Sequence, residues 1–271
     1  MGLVHFGEQR FDAKLVAFDK DGTLFDFHAS WRPRFLEAVA RLLSQFQNRA
    51  EMQAALFQSL GYNAAEGTFD EDGTFGTATS SETARAAATV LHQYSRPTLS
   101  WHSCEQLVRL EFAPILSSSG SSVPVTDLAT LFSSLHESGV GVAVITSDDR
   151  APTEATLAIF GLSRFVDYLA CGDSQGRHKP APDPLLAAAD LLDVSLAQTV
   201  VVGDSAADLH MARAAEAGLA VGVLTGVGRR ETLNSLADVI LDSIAEIRVG
   251  GSWPSGPLRD PDRSSDRPRE L

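Results

Sequence analysis

The segment Asp19-Lys20-Asp21-Gly22-Thr23 carries two carboxylates two residues apart, directly after the apolar run LVAF. Carboxylates this close repel each other, and such a pair is favoured where a cation or a shared proton separates their roles. The segment is therefore a candidate for metal-binding or proton-transfer chemistry. Acids are also common in turns, where they can cap the next helix, so the motif alone leaves a structural explanation open.

Further polar residues follow or flank later elements of the chain. Thr146 and Ser147 end the run VAVIT, Lys179 stands in the loop HKPAPD, and Asp204 and Asp208 belong to the segment GDSAAD after TVVV. Taken singly, each fits an ordinary role, such as a helix cap for Thr146 or a solvated charge for Lys179. Their occurrence together, in this order, favours one common site.

Apolar runs alternate with amphipathic segments over most of the chain, which predicts an α/β fold with a doubly wound parallel sheet. The predicted strands are residues 15–19, 140–149, 199–205, 219–226 and 238–241, and the predicted helices are residues 126–139, 152–162, 182–194 and 205–218. In such sheets, ligands bind beyond the carboxyl ends of the strands. The polar residues described above fall at those ends, so we expect the sheet to bring them together.

Residues 28–116 break this alternation, because helix-like segments follow one another there without a comparable apolar strand. We therefore predict a helical cap, residues 28–116, inserted into a core formed by residues 1–27 and 117–249. Within it, FDEDGTFG (residues 69–76) lacks the spacing of an EF-hand calcium loop, so we expect a surface turn or small hairpin. Residues 250–271 are rich in Pro, Ser and charge, which predicts a disordered tail.

Composition limits the partners of the chain. Its 271 residues carry 22 basic and 35 acidic side chains, a net charge of −13, which argues against a nucleic-acid or anionic-membrane surface. Cys104 and Cys171 are too far apart and too isolated for a zinc site or a disulfide framework. No signal-peptide pattern and no run of about 20 apolar residues is found. These features predict a cytoplasmic protein that contacts no membrane.

Four motifs together resemble those of the haloacid dehalogenase superfamily of hydrolases: FDKDGTL, VITSDD, HKPAPD and VVGDSAAD. The resemblance covers the chain from about Lys14 to Ile247 and implies a Rossmann-like core with a C1-type helical cap. The endings GVLTGVGRRETL and ADVILDSIAEI look most like those of phosphoglycolate phosphatases. Haloalkanoate dehalogenases lack the second acid of the first motif, so Asp21 favours phosphoryl chemistry.

The resemblance implies distinct roles for the four acids. Asp19 is expected to be the nucleophile that forms an aspartyl-phosphate, and Asp21 the general acid and base. Mg²⁺ is the expected cofactor, held by Asp19, by Asp204 and by the backbone carbonyl of Asp21. Asp208 is expected to act on the metal from the second shell or through water, which suits an octahedral ion that keeps several waters.

The resemblance also implies the substrate contacts. Thr146, Ser147 and Lys179 are expected to bind phosphoryl oxygens, since a phosphate dianion needs fixed donors and positive charge. The expected substrates are small phosphorylated metabolites, either phosphoglycolate-like acids or sugar phosphates. Four residues that follow the first motif could reach the non-phosphate part of a substrate: His28, Trp31, Arg32 and Arg34.

Other functions stay open at this point. A phosphomutase would use the same aspartyl-phosphate and return the phosphoryl group to substrate if the cap excludes water. A non-catalytic phospho-ligand-binding protein would keep the fold without turnover. A receiver-type signalling domain also has acids, a Thr and a Lys at sheet ends, but the close acid pair and the inserted cap argue against it. The oligomeric state is not predicted.

Overall fold

The computed structural model describes residues 3–250 except 96, 113 and 115–121. The predicted tail therefore lies outside the described residues beyond Gly250. The strands are β1 (Leu3–Phe6), β2 (Gln9–Asp12), β3 (Leu15–Phe18), β4 (Tyr62–Asn63), β5 (Thr68–Phe69), β6 (Gly141–Ile145), β7 (Tyr168–Ala170), β8 (Thr199–Gly203), β9 (Leu219–Val223), β10 (Val239–Leu241) and β11 (Ile247–Val249). The helices are α1 (Phe27–Leu43), α2 (Arg49–Leu60), α3 (Thr74–Thr77), α4 (Ser80–Ser95), α5 (Trp101–Leu107), which continues as a π-helical turn (Val108–Phe112), α6 (Leu128–Glu137), α7 (Arg150–Ile159), α8 (Asp183–Leu191), α9 (Ala206–Ala214) and α10 (Arg230–Asn234).

The main sheet has six strands in the order β10-β9-β8-β3-β6-β7, and all of its pairings are parallel. This confirms the predicted α/β class. β3 lies between β6 and β8, with Phe18 in register with Val144 on one side and Val202 on the other. The residues that follow these three strands are therefore neighbours at one edge of the sheet.

Both faces of the main sheet are covered, so its strands are apolar throughout. All four residues of β3 are buried. Val16 and Phe18 join the apolar cluster on one face, whereas Leu15 and Ala17 join the cluster on the other. A strand buried on both faces reads as a continuous apolar run rather than an alternating one. The predicted helices of the core are confirmed, with ends shifted by a few residues.

A second sheet, β11-β1-β2, is antiparallel and was not predicted. β1 and β2 are joined through a turn in which Gly7 has a φ of +58°, a value that favours glycine. β2 reads Gln-Arg-Phe-Asp and has no buried residue, so it carries no hydrophobic pattern. β7 of the main sheet was missed for a related reason, because its residues, Tyr-Leu-Ala, include no β-branched side chain. Such short strands depend on their partners rather than on their own sequence.

The segment between β3 and α6 is mainly helical and has an apolar core of its own. Its centre is Phe35, which is fully buried and has ring-to-ring centroid distances of 5.1 Å to Tyr62, 5.1 Å to Phe69 and 4.8 Å to Phe75. β4 and β5 form a short hairpin that ends at Phe69, and part of the predicted turn segment is the short helix α3. The exact domain boundaries stay a prediction. None of the helices in the described part of the chain is long and apolar enough to cross a membrane.

Candidate active site

All seven residues predicted for the site line one cavity of about 130 Å³ at the carboxyl edge of the main sheet. They are Asp19, Asp21, Thr146, Ser147, Lys179, Asp204 and Asp208. The parallel register explains the convergence, because β3, β6 and β8 end side by side. The roles expected for these residues stay predictions, but their placement in one cavity is a property of the fold.

Three buried carboxylates form the floor of the cavity. Asp19, Asp204 and Asp208 each offer an oxygen within 4.8 Å of the others, and the three residues are 8%, 2% and 1% exposed. Burial raises the pKa of Asp19 to about 7, against the opposing effect of Lys179. Burial also raises the pKa of Asp204 well above its usual range, and Asp19 adds to this. Because burial and mutual repulsion make it unfavourable for these carboxyl groups to be ionised together, a bound cation would stabilise their charged forms.

Asp204 is held by backbone that approaches it closely. The Val227 N–H donates to Asp204 Oδ2 at 2.9 Å. Gly22 has a φ of +99°, and a Cβ there would lie 2.4 Å from Asp204 Cγ. A Cβ at Gly226 would lie 1.8 Å from Asp204 Oδ2. Both glycines are therefore required by the carboxylate beside them, whichever ligand the site takes.

Lys179 ties the other two acids of the floor together. Its Nζ lies 2.6 Å from Asp19 Oδ1 and 2.7 Å from Asp208 Oδ1. Burial alone would lower the pKa of Lys179, but the charges of Asp19 and Asp208 raise it. The second oxygen of Asp208 accepts hydrogen bonds from the Ser205 N–H at 3.1 Å and the Ser205 hydroxyl at 2.6 Å, which completes a capping box for α9. Both Asp208 oxygens therefore have protein partners.

Lys20 is a buried part of the site that the sequence analysis missed. Its Nζ lies 2.7 Å from Asp21 Oδ2 and 2.8 Å from Asp148 Oδ2, and the residue is 2% exposed. Burial lowers the pKa of Lys20, but Asp148 and Asp21 outweigh burial and raise it. In the sequence, Lys20 stands between two acids at the end of a buried strand. A lysine is rarely buried unless an acid pairs with it, so this position was the available indication.

Asp21 therefore pairs with Lys20, whereas Asp19 pairs with Lys179. Burial raises the pKa of Asp21, although Lys20 and the indole N–H of Trp31 act in the opposite direction. Asp21 Oδ1 and Trp31 Nε1 are both buried without a hydrogen-bond partner at normal distance among the described residues. One cap side chain therefore lies beside the acid that was expected to move protons.

The other two predicted phosphate-binding residues, Thr146 and Ser147, line the cavity directly after β6. Thr146 is 6% exposed, and its Oγ1 accepts the Asp148 N–H at 3.1 Å. The hydroxyl hydrogen of Thr146 can therefore be donated into the cavity. A Cβ on Gly172 would lie 2.1 Å from the carbonyl oxygen of Ser147, so this loop also needs glycine at a close approach.

Of the four cap residues considered from the sequence, Trp31 lines the cavity. The ring of His28 stacks on Phe69 with a centroid distance of 6.2 Å. Arg32 lies against Gly67 of the β4–β5 turn. Arg34 is buried, with its guanidinium carbon 5.0 Å from the centre of the Trp31 ring. The structure does not bring these three residues into the described lining.

Comparison with known proteins agrees with this arrangement. A family model described as haloacid dehalogenase-like hydrolase matches residues 13–216. A plasmid phosphoglycolate phosphatase of Cupriavidus necator is 41% identical over 114 residues, which are 41% of this chain and 48% of that protein. A phosphoglycolate phosphatase of Rhodospirillum rubrum is 34% identical over 145 residues, 53% of this chain and 58% of that protein. The chain thus spans about half the length of these curated relatives.

Solved structures show the same fold. The structure of CbbY from Rhodobacter sphaeroides in complex with phosphate aligns with a TM-score of 0.58 at 24% identity, over 86% of this chain and 96% of that one. A HAD-superfamily hydrolase of subfamily IA from Geobacter sulfurreducens aligns with a TM-score of 0.56 at 16% identity, over 88% and 96% of the two chains.

Proposed function

The chain belongs to the haloacid dehalogenase-like hydrolase family, and on that premise we propose that it is a Mg²⁺-dependent phosphatase of small phosphomonoesters. The observation that carries the proposal is the buried group of Asp19, Asp204 and Asp208, bridged by Lys179 at the end of the central strand. Phosphoryl transfer needs charge neutralisation and fixed donors around a nucleophile, and this group offers each of them.

Asp19 is the proposed nucleophile. Its carboxylate attacks phosphorus, the bond from phosphorus to the alkoxide breaks, and an aspartyl-phosphate forms on Asp19. The contact of Lys179 Nζ with Asp19 Oδ1, at 2.6 Å, orients the attacking group and supplies positive charge beside the phosphoryl oxygens. Thr146 and Ser147 face the same space from the end of β6 and would donate to those oxygens.

Asp21 is the proposed acid and base. It gives a proton to the leaving alkoxide in the first step and removes one from the attacking water in the second. Its raised pKa, caused mainly by burial, supports a carboxyl group that can hold a proton before it is needed. The contact with Lys20 Nζ at 2.7 Å fixes one oxygen, whereas the other, Oδ1, has no hydrogen-bond partner at normal distance among the described residues.

The residues present fit a hard divalent cation. Carboxylate oxygens are the ligands that Mg²⁺ prefers, and the buried triad would otherwise concentrate negative charge next to an anionic substrate. Asp19, Asp204 and the backbone carbonyl of Asp21 would hold the ion, which when bound would neutralise charge on the transferred group. Asp208 is proposed to act less directly, since both of its oxygens are engaged by Lys179 and Ser205.

Phosphoglycolate and sugar phosphates are the substrates that the sequence suggests, and two curated relatives bear the name phosphoglycolate phosphatase. The mutase alternative differs in its product, because the phosphoryl group returns to substrate instead of water. Both cysteines are buried and free, which suits the reducing cytoplasm proposed for this protein.

The test is a panel of phosphorylated metabolites assayed for released phosphate with Mg²⁺ and after chelation. We expect release from several monoesters with Mg²⁺ and loss of release after chelation. The Asp19→Asn protein, purified identically, controls for contaminating phosphatases. Isomerised sugar phosphate without released phosphate would favour the mutase, and turnover that survives exhaustive chelation would remove the metal from the proposal.

A further inference from the structure

The wall of the cavity that faces the phosphoryl site is aromatic. It is formed by Phe27, Trp31, Phe75 and Phe112, with Ala84 of α4 beside them. Phe27, Trp31 and Phe112 are 3%, 7% and 1% exposed, and the Phe75 ring meets the Trp31 ring edge to face at 5.8 Å. These rings are fixed by their own packing, so the wall is preformed rather than assembled around a ligand.

Most polar groups on this wall are already engaged within the chain, and the exception is the Trp31 indole N–H, which has no hydrogen-bond partner at normal distance among the described residues. The Thr77 hydroxyl donates to the Gly73 carbonyl at 2.9 Å, and the Thr83 hydroxyl donates to the Thr74 carbonyl at 3.3 Å. The Ser80 hydroxyl bonds to Asp149, whose pKa is raised by burial against the smaller opposing effect of this hydrogen bond. A substrate therefore meets mainly carbon and aromatic surface on this side.

The described lining offers no cation for a second anionic group. Lys179 is its single Lys or Arg, and both Asp19 and Asp208 bind that ammonium group. Asp148 and Asp149 line the cavity as well. The cation nearest to Asp148 is Lys20, which is shared between Asp148 and Asp21.

We infer, on the premise of the proposed phosphatase function, that the preferred substrates are phosphomonoesters whose leaving group is uncharged and largely apolar. A second carboxylate on the substrate would lie against aromatic rings, with the neutral Trp31 N–H as a donor but with no uncommitted cation in the described lining to balance its charge, which is unfavourable. This narrows the substrates that the sequence suggests and disfavours phosphoglycolate, the substrate named for the relatives.

Isobutyl phosphate and phosphoglycolate provide a matched pair for the test. The two esters have the same number of non-hydrogen atoms and similar size, and two methyl groups replace the two carboxylate oxygens. We expect kcat/KM with Mg²⁺ to be at least about tenfold higher for isobutyl phosphate, which corresponds to about 1.4 kcal/mol. p-Nitrophenyl phosphate, whose leaving group departs without a proton, shows whether the full-length protein has phosphatase activity.

Two substitutions at Ala84 test the wall itself. Ala84→Lys places an ammonium group in the cavity, and we expect it to shift the kcat/KM ratio towards phosphoglycolate by about tenfold. Ala84→Met adds similar length without charge and should leave phosphoglycolate disfavoured. Hydrolysis of p-nitrophenyl phosphate and the thermal unfolding midpoint show whether each variant is folded.

The outcomes separate this inference from the proposed function. If p-nitrophenyl phosphate is hydrolysed but phosphoglycolate is used as well as or better than isobutyl phosphate, the inference is wrong and the phosphatase function stands. An active Ala84→Lys protein with the wild-type ratio also overturns the inference. If no ester releases phosphate with Mg²⁺, the proposed function itself fails, and the inference fails with it.

Discussion

Asp19 and Asp21 stand two residues apart, yet the fold gives their side chains separate partners. Asp19 meets Lys179 and the buried triad, whereas Asp21 meets Lys20. The chain leaves β3 and turns directly after Asp19, so the two acids do not share one face as residues two apart in a strand would. Two carboxylates of the same motif can therefore serve as nucleophile and as acid without sharing one environment.

The two acids should fail differently when they are replaced. Asp19→Asn should abolish turnover and leave no phosphorylated protein, because an amide is a far weaker nucleophile. Asp21→Asn should slow hydrolysis by roughly 10²- to 10⁴-fold, the usual contribution of general acid and base catalysis. Rapid quench and mass spectrometry with an activated ester would detect phosphate that accumulates on Asp19 in the second variant. Phosphate on another residue would contradict the assignment.

Lys20 should matter for proton transfer rather than for phosphate binding. Lys20→Met removes the contact that fixes Asp21, and a misplaced acid should lower kcat for an alkyl ester by about 10- to 100-fold. Hydrolysis of p-nitrophenyl phosphate should fall much less, since its leaving group departs without a proton. Steady-state kinetics on the two esters, with Lys20→Arg as the charge-retaining control, measure this split. Equal losses on both esters would show that Lys20 does not act through Asp21.

At the scale of the elements, one of the contacts between the helical segment and the core involves the start of a helix, that of α10. The Glu71 carboxylate, just after β5, accepts the Arg229 N–H at 3.0 Å and the Thr232 hydroxyl at 2.9 Å. Arg229 is the N-cap residue of α10 and makes no side-chain cap bond of its own. Glu71 thus caps a helix that is distant from it in sequence, so the docking of the β5 loop on the core and the start of α10 depend on the same carboxylate.

Replacement of this carboxylate should loosen both elements. We expect Glu71→Ala to lower the free energy of unfolding by about 1 kcal/mol, the typical value of a helix cap. KM should rise for esters whose leaving group contacts the aromatic wall of the cavity. Asp70→Asn is the matched control, because the Asp70–Arg229 pair is exposed, spans 3.9 Å and should contribute little. Urea unfolding and steady-state kinetics provide the two measurements, and identical behaviour of the two variants would contradict the role of Glu71.

The sequence predicted those elements whose own residues specify them. β3 and β8 are continuous apolar runs, and α6 is capped by Asp127 in the pattern expected of a helix start. β2 escaped prediction because it has no apolar run of its own, and β7 because its residues, Tyr-Leu-Ala, include no β-branched side chain, unlike the Val-Ile-Leu of β10. The role of Glu71 was not predicted either, because a helix-capping residue that lies far from the helix in sequence leaves no local sequence pattern.

The same distinction holds for the site. The acids, Thr146 and Lys179 were identified because their motifs stand at strand ends, and parallel register brings strand ends together. Lys20 was missed because its importance arises from burial between Asp21 and Asp148, and Asp148 is distant in sequence. The aromatic lining was missed because Phe75 and Phe112 come from separate segments of the cap.

At the scale of the whole molecule, the net charge of −13 includes a buried concentration of acids that the fold must tolerate. Burial raises the pKa of Asp19 from 3.8 to about 7, and those of Asp21 and Asp204 move in the same direction. Between these pH values the folded chain keeps a proton that the unfolded chain has released. Without a cation, stability should therefore fall as the pH rises from about 4 to about 7.

A divalent cation competes with these protons for the same oxygens, so its stabilising effect should grow as the pH rises. We expect saturating Mg²⁺ to raise the thermal midpoint by several degrees at pH 8, since binding at about 100 times Kd contributes about 2.7 kcal/mol. At pH 5.5 the shift should be clearly smaller. Circular dichroism with Mg²⁺ or a chelator measures both, and Asp204→Asn should lose most of the shift at pH 8. An equal shift at the two pH values would show that the cation binds away from the buried carboxylates.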